Sequence, residues 1–330
     1  MQIYIIDEKQ AGQRFDKFLN KYLPNAGTGF LFKMLRKKNI TLNGKKAEGK
    51  EILSVGDEIR FFFAEETFQK FAATASQSSA SVKEYEHAYK LFQNASIGIL
   101  YEDEDVLILN KPAGILTQKA SDQDSSLNEW MIGYLLHNRK MNANDLQLFK
   151  PSVCNRLDRN TSGIVLCGIS LKGSQVLSKL IHDREVKKFY RTICKGTLTE
   201  KVSLKGSLIK NEKTNTVTFS PKGEEIQTAY EPIKSLKYGS TYLEVELITG
   251  KTHQIRAHLS GIGHPLMGDK KYGNDAYNKQ ANKHYQLNHQ LLHAYRVEFP
   301  TLSDDLSNLS NKTIIAPIPQ YFERILEDLS

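Results

Sequence analysis

The sequence has 330 residues but only three cysteines, Cys154, Cys167 and Cys194, and no two of them form a Cys-x-x-Cys pair. So sparse and odd a set excludes a disulfide framework and a cysteine-based zinc centre. No uncharged apolar run approaches the ~20 residues of a membrane-crossing helix. The first ten residues lack a basic leader, and their apolar stretch stops at Asp7, so no secretory signal is expected. Internal repeats are absent too. What remains is ordinary globular composition, 40% hydrophobic and 25% charged, with 15 Tyr and 15 Phe. The expectation is a soluble, cytoplasmic protein of about two domains.

Charge is plentiful but uneven. Lys and Arg number 45 against 37 Asp and Glu, a formal net charge of +8. Residues 1–63 hold 12 basic and 7 acidic side chains, and so most of the excess. This points to an anionic polymer such as nucleic acid, with a solvated basic face as the competing reading. A short strand over 3–6 precedes an amphipathic helix over 14–23, with Phe15, Phe18, Leu19 and Tyr22 on one face. A second helix over 29–38 ends in Arg36-Lys37-Lys38. Asn43-Gly44 between strand-like runs predicts a type I′ hairpin turn, because both central residues need positive φ. A last strand lies within 55–61. Two short helices followed by a basic hairpin resemble the alpha-L RNA-binding module of a small-subunit ribosomal protein and of many RNA-modifying enzymes. On physical grounds Arg14, Lys33, Arg36, Lys37, Lys38, Lys45 and Lys46 are candidates for one phosphate-contacting patch.

Residues 64–90 read as a flexible linker, since the Ala, Ser, Thr and Gln run at 72–81 has no apolar period. A second unit spans 91–330. Apolar runs at 106–109 and 163–168 read as buried strands, and 189–194 and 242–247 alternate with period two. Helices are expected near 126–138, 172–182, 252–260 and 318–328. The expected fold class is α+β: a mostly antiparallel mixed-sheet domain and a small N-terminal α+β domain.

The informative run is Asn155-Arg156-Leu157-Asp158-Arg159-Asn160-Thr161-Ser162-Gly163. Asp158 stands between two arginines, which favours its ionised form, as a nucleophile or base requires. A loop salt bridge is the bland reading. Lys188-Phe189-Tyr190 opens a strand and offers an aromatic face. Thr249-Gly250-Lys251-Thr252-His253-Gln254-Ile255-Arg256 starts with a turn and runs into a short helix, with Arg256 off its inner face.

Together these resemble the RluA-type family of pseudouridine synthases. The matching stretches are Lys111-Pro-x-Gly114, Arg156-Leu-Asp158-x-x-Thr161-Ser-Gly163, Lys188-x-Tyr190, 249–272 and Leu291-Leu292-His293-Ala294. The resemblance spans about 100–300, and with the N-terminal module it looks like the branch that modifies large-subunit ribosomal RNA. It implies that Asp158 is the catalytic aspartate and Arg256 its ion-pair partner. Tyr190 would stack on the target base, and Arg156 would fill the gap left when the uridine flips out. Leu291 is carried over as a further substrate-binding candidate. Asn155 stands where the family commonly has His, and Lys251 where it commonly has Arg.

The implied reaction breaks the N-glycosidic bond, rotates the uracil and rejoins it through carbon five. It is an isomerisation and calls for no metal and no cofactor. Whether Asp158 attacks the anomeric carbon or removes the 2′ proton stays open. The expected partner is ribosomal RNA, 23S in particular, ahead of tRNA, and the protein is expected to act as a monomer away from membranes. Two rivals remain. Glu244 and Glu246 on one strand face suggest a glycosyl hydrolase pair with Asp158, and a non-catalytic ribosome-assembly factor would use the basic surface alone. His253, His258 and His264 lack the i, i+4 spacing of a helical metal pair.

Overall fold

The computed structural model describes residues 1–72, 75–303 and 305–330, with the side chains of 75–81 left out. The chain opens with β1 (Gln2–Ile5), α1 (Phe15–Tyr22), α2 (Thr28–Arg36), β2 (Ile40–Leu42), β3 (Lys45–Lys46) and β4 (Glu58–Phe61). The four strands form one antiparallel sheet in the order β1-β4-β2-β3. Phe15, Phe18 and Leu19 of α1 and Leu31, Met34 and Leu35 of α2 are buried against Ile59 and Phe61. The turn between β2 and β3 has Asn43 and Gly44 both at positive φ, as the Asn-Gly pair predicts.

Next come α3 (Glu65–Phe71) and α4 (Ala75–Leu91). Here the structure departs from the expected linker. Phe68 of α3 belongs to the small core, whereas Tyr85 and Ala88 of α4 are buried, Tyr85 within the large core. The aromatic residues flanking the Ala/Ser run supply the apolar surface that the run itself lacks. Ala73 and Thr74, near the start of that run, lie outside the described residues.

The rest is built on β5 (Gly98–Glu102), β6 (Val106–Lys111), α5 (Leu127–His137), α6 (Asp145–Leu148), β7 (Ser152–Val153), β8 (Ser162–Gly168), α7 (Leu171–His182) and β9 (Lys187–Lys195). Then follow β10 (Val202–Asn211), β11 (Thr216–Phe219), β12 (Glu224–Leu236), β13 (Ser240–Leu247), α8 (Gln254–Gly261), α9 (Asp275–Tyr285), β14 (Leu292–Glu298), β15 (Thr313–Ile315) and α10 (Gln320–Leu329). Eleven strands form one sheet with the main order β11-β10-β12-β13-β9-β14-β8-β6-β5, antiparallel except where β14 runs parallel to β8. The α+β expectation holds.

Alternation along the central strands separates two cores. Leu107, Leu109, Val165 and Cys167 face one, with α5 packed on it, and Val106, Ile108, Ile164 and Leu166 face the other, with α7. Each such side chain contributes about 1.5–3 kcal/mol on burial. The parallel contact of β8 with β14 demands glycine at 163: φ is +110°, and a Cβ there would lie 2.1 Å from the Ala294 carbonyl oxygen. Among the described residues no helix is long and apolar enough to cross a membrane.

Helix α9 and strands β10, β11 and β12, with β10 in the middle, lie outside the elements expected from sequence. Only Tyr277 and Ala281 of α9 are buried, too few to give a periodic signal. Its N-terminus is held by Asn274, whose side chain accepts from the Tyr277 N–H.

Candidate active site

Asp158 sits on the loop between β7 and β8, and that loop is pinned from both sides. Thr117 Oγ1 donates to the Leu157 carbonyl (2.8 Å) and accepts from the Leu157 N–H (3.1 Å). The Arg159 carbonyl accepts from the Gly114 N–H (2.9 Å) and from Lys111 Nζ (3.0 Å). Lys111, the first residue of the Lys-Pro-x-Gly stretch, is a fully buried lysine whose Nζ also donates to the carbonyls of Pro112 and Ile115. Burial pushes its pKa down to about 7, and the nearby Asp158 charge opposes that shift. Asn155, the departure from the family pattern, bonds the backbone of β8: its Oδ1 accepts from Leu166 N–H at 2.7 Å and its Nδ2 donates to the Ile164 carbonyl at 3.3 Å.

Arg256 reaches Asp158 from α8. Its Nη1 lies 2.7 Å from Asp158 Oδ2, while Nε and Nη2 grip both oxygens of Asp269 at 2.7 and 2.8 Å. The expectation that Arg256 lies off the buried side of its helix is corrected: residues 254–259 are all buried. A guanidinium is buried there because Asp269, itself 0% exposed, balances it. Burial works against the Asp269 charge, yet the two Arg256 bonds hold its carboxyl below the usual range. Asp269 had no role in the sequence reading, because no local pattern ties it to Arg256.

His253, at the start of α8, places Nε2 3.8 Å from Asp158 Oδ2, an electrostatic contact rather than a hydrogen bond. Its Nδ1 lies 2.9 Å from the Tyr272 hydroxyl, which accepts from the Val217 N–H at 2.7 Å. Burial lowers the His253 pKa against the pull of Asp158. His258 and His264 point elsewhere, to Thr228 and to the Lys195 carbonyl. Among the described residues, no three His, Cys, Asp or Glu side chains converge as a metal ion requires.

Tyr190 on β9 lines the pocket beside Asp158 together with Arg156, Leu247, Ile255 and Leu292. Burial pushes its hydroxyl well above the ordinary range. Leu291 does not belong to this pocket. It is fully buried in a different core with Ile193 and Met267, and its neighbour Leu292 lines the site. The register explains the shift: Leu292 and Ala294 pair with Thr192 and Tyr190, so even-numbered residues at the start of β14 share the Tyr190 face.

The pocket opens into a cleft of about 920 Å³. Among the described residues Asp158 is its single acid, beside nine basic side chains that include Arg156, Arg159, Lys188, Lys210, Lys270 and Lys271. Lys251, the other departure, leans outward to Glu224 at 2.8 Å. A larger cavity of about 1280 Å³ is lined by Glu102, Asp103, Glu104, Asp105 and Asp145, the wrong sign for a polyanion. Glu244 is held between Arg191 and Arg296 at 2.8 and 2.9 Å, one residue out of phase with Val245, which pairs with Tyr190. The glycosyl hydrolase pair therefore lacks its second carboxylate in the cleft.

The seven basic candidates of the N-terminal unit are all exposed. Arg14 is paired with Asp16 at 2.8 Å, and the other six make no ion pair among the described residues.

A basic cleft around one half-buried carboxylate and an aromatic wall suits an enzyme that acts on a nucleic acid. Residues 105–261 match the RNA pseudouridylate synthase family. The chain is 30% identical to the ribosomal large subunit pseudouridine synthase C of Buchnera aphidicola subsp. Schizaphis graminum, over 100% of this chain and 98% of the relative. It is 29% identical to the protein of the same name from Vibrio parahaemolyticus, over 100% and 96%. The fold matches human RNA pseudouridylate synthase domain containing 4, with TM-score 0.55 and 20% identity over 75% of this chain and 97% of that one. The chain belongs to the RluA-type RNA pseudouridine synthases, and it is an isomerase.

Proposed function

We propose that this enzyme converts uridines of large-subunit (23S) ribosomal RNA to pseudouridine in the cytoplasm, with Asp158 as the catalytic carboxylate. The observation that carries the reading is Asp158 itself, the one acid among the described residues of a basic cleft, fixed 2.7 Å from Arg256 and bordering the same pocket as Tyr190. The target uridine leaves its stack at a cost of a few kcal/mol, offset by stacking on Tyr190 and by phosphate contacts. Arg156, exposed at the cleft mouth, takes the place of the flipped base. The relatives' names support the choice of ribosomal RNA. Mapping pseudouridine in large-subunit RNA from a deletion strain tests it: specific sites should vanish and return with the wild-type gene but not with Asp158→Asn. Unchanged sites would overturn the substrate, and a variant that restores them would overturn the catalytic assignment.

Tyr190→Phe keeps the ring and is expected to retain most activity. Tyr190→Ala is expected to lose about 5- to 150-fold, since base–aromatic stacking is worth roughly 1–3 kcal/mol. Equal losses in steady-state rates would assign the role to the hydroxyl.

Residues 1–72 act in this reading as the RNA-binding unit, through the exposed lysines of α2 and the β2–β3 hairpin. Replacing Lys37, Lys38, Lys45 and Lys46 with Gln is expected to flatten the slope of log affinity against log salt by about 3, at ~0.7–0.9 per lost phosphate contact. Salt titrations that superimpose would make the segment a solubility face.

A further inference from the structure

Lys188 has no role in the site described so far. It lies two residues before Tyr190 on β9, so the two side chains share a face about 7 Å apart along the strand. The register with β14 places Lys188 opposite Val297 and Tyr190 opposite Ala294. Lys188 is only 8% exposed, yet it lines the basic cleft beside Asn155 and Arg156. Among the described residues no carboxylate lies within ion-pair distance of its Nζ, and no acceptor takes a hydrogen bond from it. Lysines are seldom buried to this degree unless paired. Burial lowers the proton affinity of this one, and the charge of Arg184 adds to the effect. An ammonium held this way, stem packed and head open to a cleft, lacks its anion.

We propose that Lys188 binds the backbone phosphate flanking the target uridine, so that it and Tyr190 grip adjacent parts of one flipped nucleotide. The proposal rests on the reading of Tyr190 as the platform for the base. It adds a phosphate contact inside the catalytic cleft, separate from the N-terminal unit. The anion is a phosphodiester because the cleft is lined by basic groups and the substrate of this family is RNA.

The test pairs a protein change with an RNA change. Lys188→Met keeps the buried stem and removes the charge. It is expected to raise KM about tenfold, the scale of one charge-assisted hydrogen bond, with the loss in KM rather than kcat. The salt slope should fall by about 0.7, and Lys188→Arg should restore it. RNAs carrying one neutral methylphosphonate, on the 5′ or the 3′ side of the target uridine, locate the contact. One of the two should weaken wild-type binding about as much as the protein change does, and should have no further effect on Lys188→Met. Strictly additive losses at both positions, or an unchanged KM and salt slope, would overturn the proposal. A Lys188→Met protein that loses kcat and melting temperature with KM unchanged would assign the residue to packing instead. Should Asp158→Asn remain active, the reading of the site itself fails; should it be inactive while Lys188→Met behaves as wild type, only the phosphate contact fails.

Discussion

Asp158→Asn is expected to abolish isomerisation, by at least ~10⁴-fold in single-turnover rate, while RNA affinity changes little. Losses of that order accompany removal of a reacting group that works as part of a unit. The amide has the shape of the carboxylate and can still accept from Arg256 Nη1, but it can neither attack the ribose nor take a proton from it. The loop does not depend on the side chain for its conformation, because Thr117, Lys111 and Gly114 hold its backbone. The nine basic groups of the cleft also remain. Release of the carbon-five hydrogen from a tritiated RNA measures the step directly. Release at the wild-type rate would remove Asp158 from the mechanism, whereas RNA bound tightly without turnover is the expected result.

Arg256→Met should be the most damaging change to the protein as well as to catalysis. Removing the guanidinium strands Asp269 at 0% exposure and takes the counter-ion from Asp158. Leaving one partner of a buried pair uncompensated costs about 3–5 kcal/mol, or roughly 10 °C in melting temperature for a domain of this size. The pH dependence has a definite sign. In the wild type, Arg256 holds the Asp269 carboxyl below its usual range, so this contribution is present at neutral pH and lost as pH falls through the folded-state value. In the variant, burial acts unopposed by Arg256 and favours the protonated acid. The stability deficit should therefore be largest near neutrality and shrink toward pH 5. Arg256→Lys should recover part of the stability and little of the activity, since one ammonium cannot make the fork to Asp269 and also reach Asp158. Melting indistinguishable from wild type at neutral pH would show that the three-residue arrangement carries no such load.

Short-range features of this protein are legible in its sequence alone. The Asn43-Gly44 turn follows from two adjacent residues that tolerate positive φ, and α1 follows from an apolar stripe of period 3.6. The α+β class and the central strands could be read because alternation and apolar runs are local signals. Asp158 between Arg156 and Arg159 is a local cluster too, and the resemblance to the RluA-type family joins Tyr190 and Arg256 to it.

Tertiary structure decided the rest, because distant chain segments meet there. The Asp269 fork depends on a loop closing back on α8, and the buried Lys111 depends on a carbonyl 48 residues away. Leu291 and Leu292 are equally apolar, and only the register of β14 against β9 selects the second for the pocket. The stretch 64–90 looks unstructured by composition, yet Phe68 and Tyr85 anchor its described ends in two separate cores. Lys188 carries the same lesson for charge. In sequence it belongs to the Lys-x-Tyr stretch with no chemistry of its own, and burial with no partner among the described residues, beside an aromatic wall, is what points to one. Hydrophobic period and turn chemistry act over a few residues, whereas ion pairing, burial and strand phase are set by which surfaces the folded chain brings together.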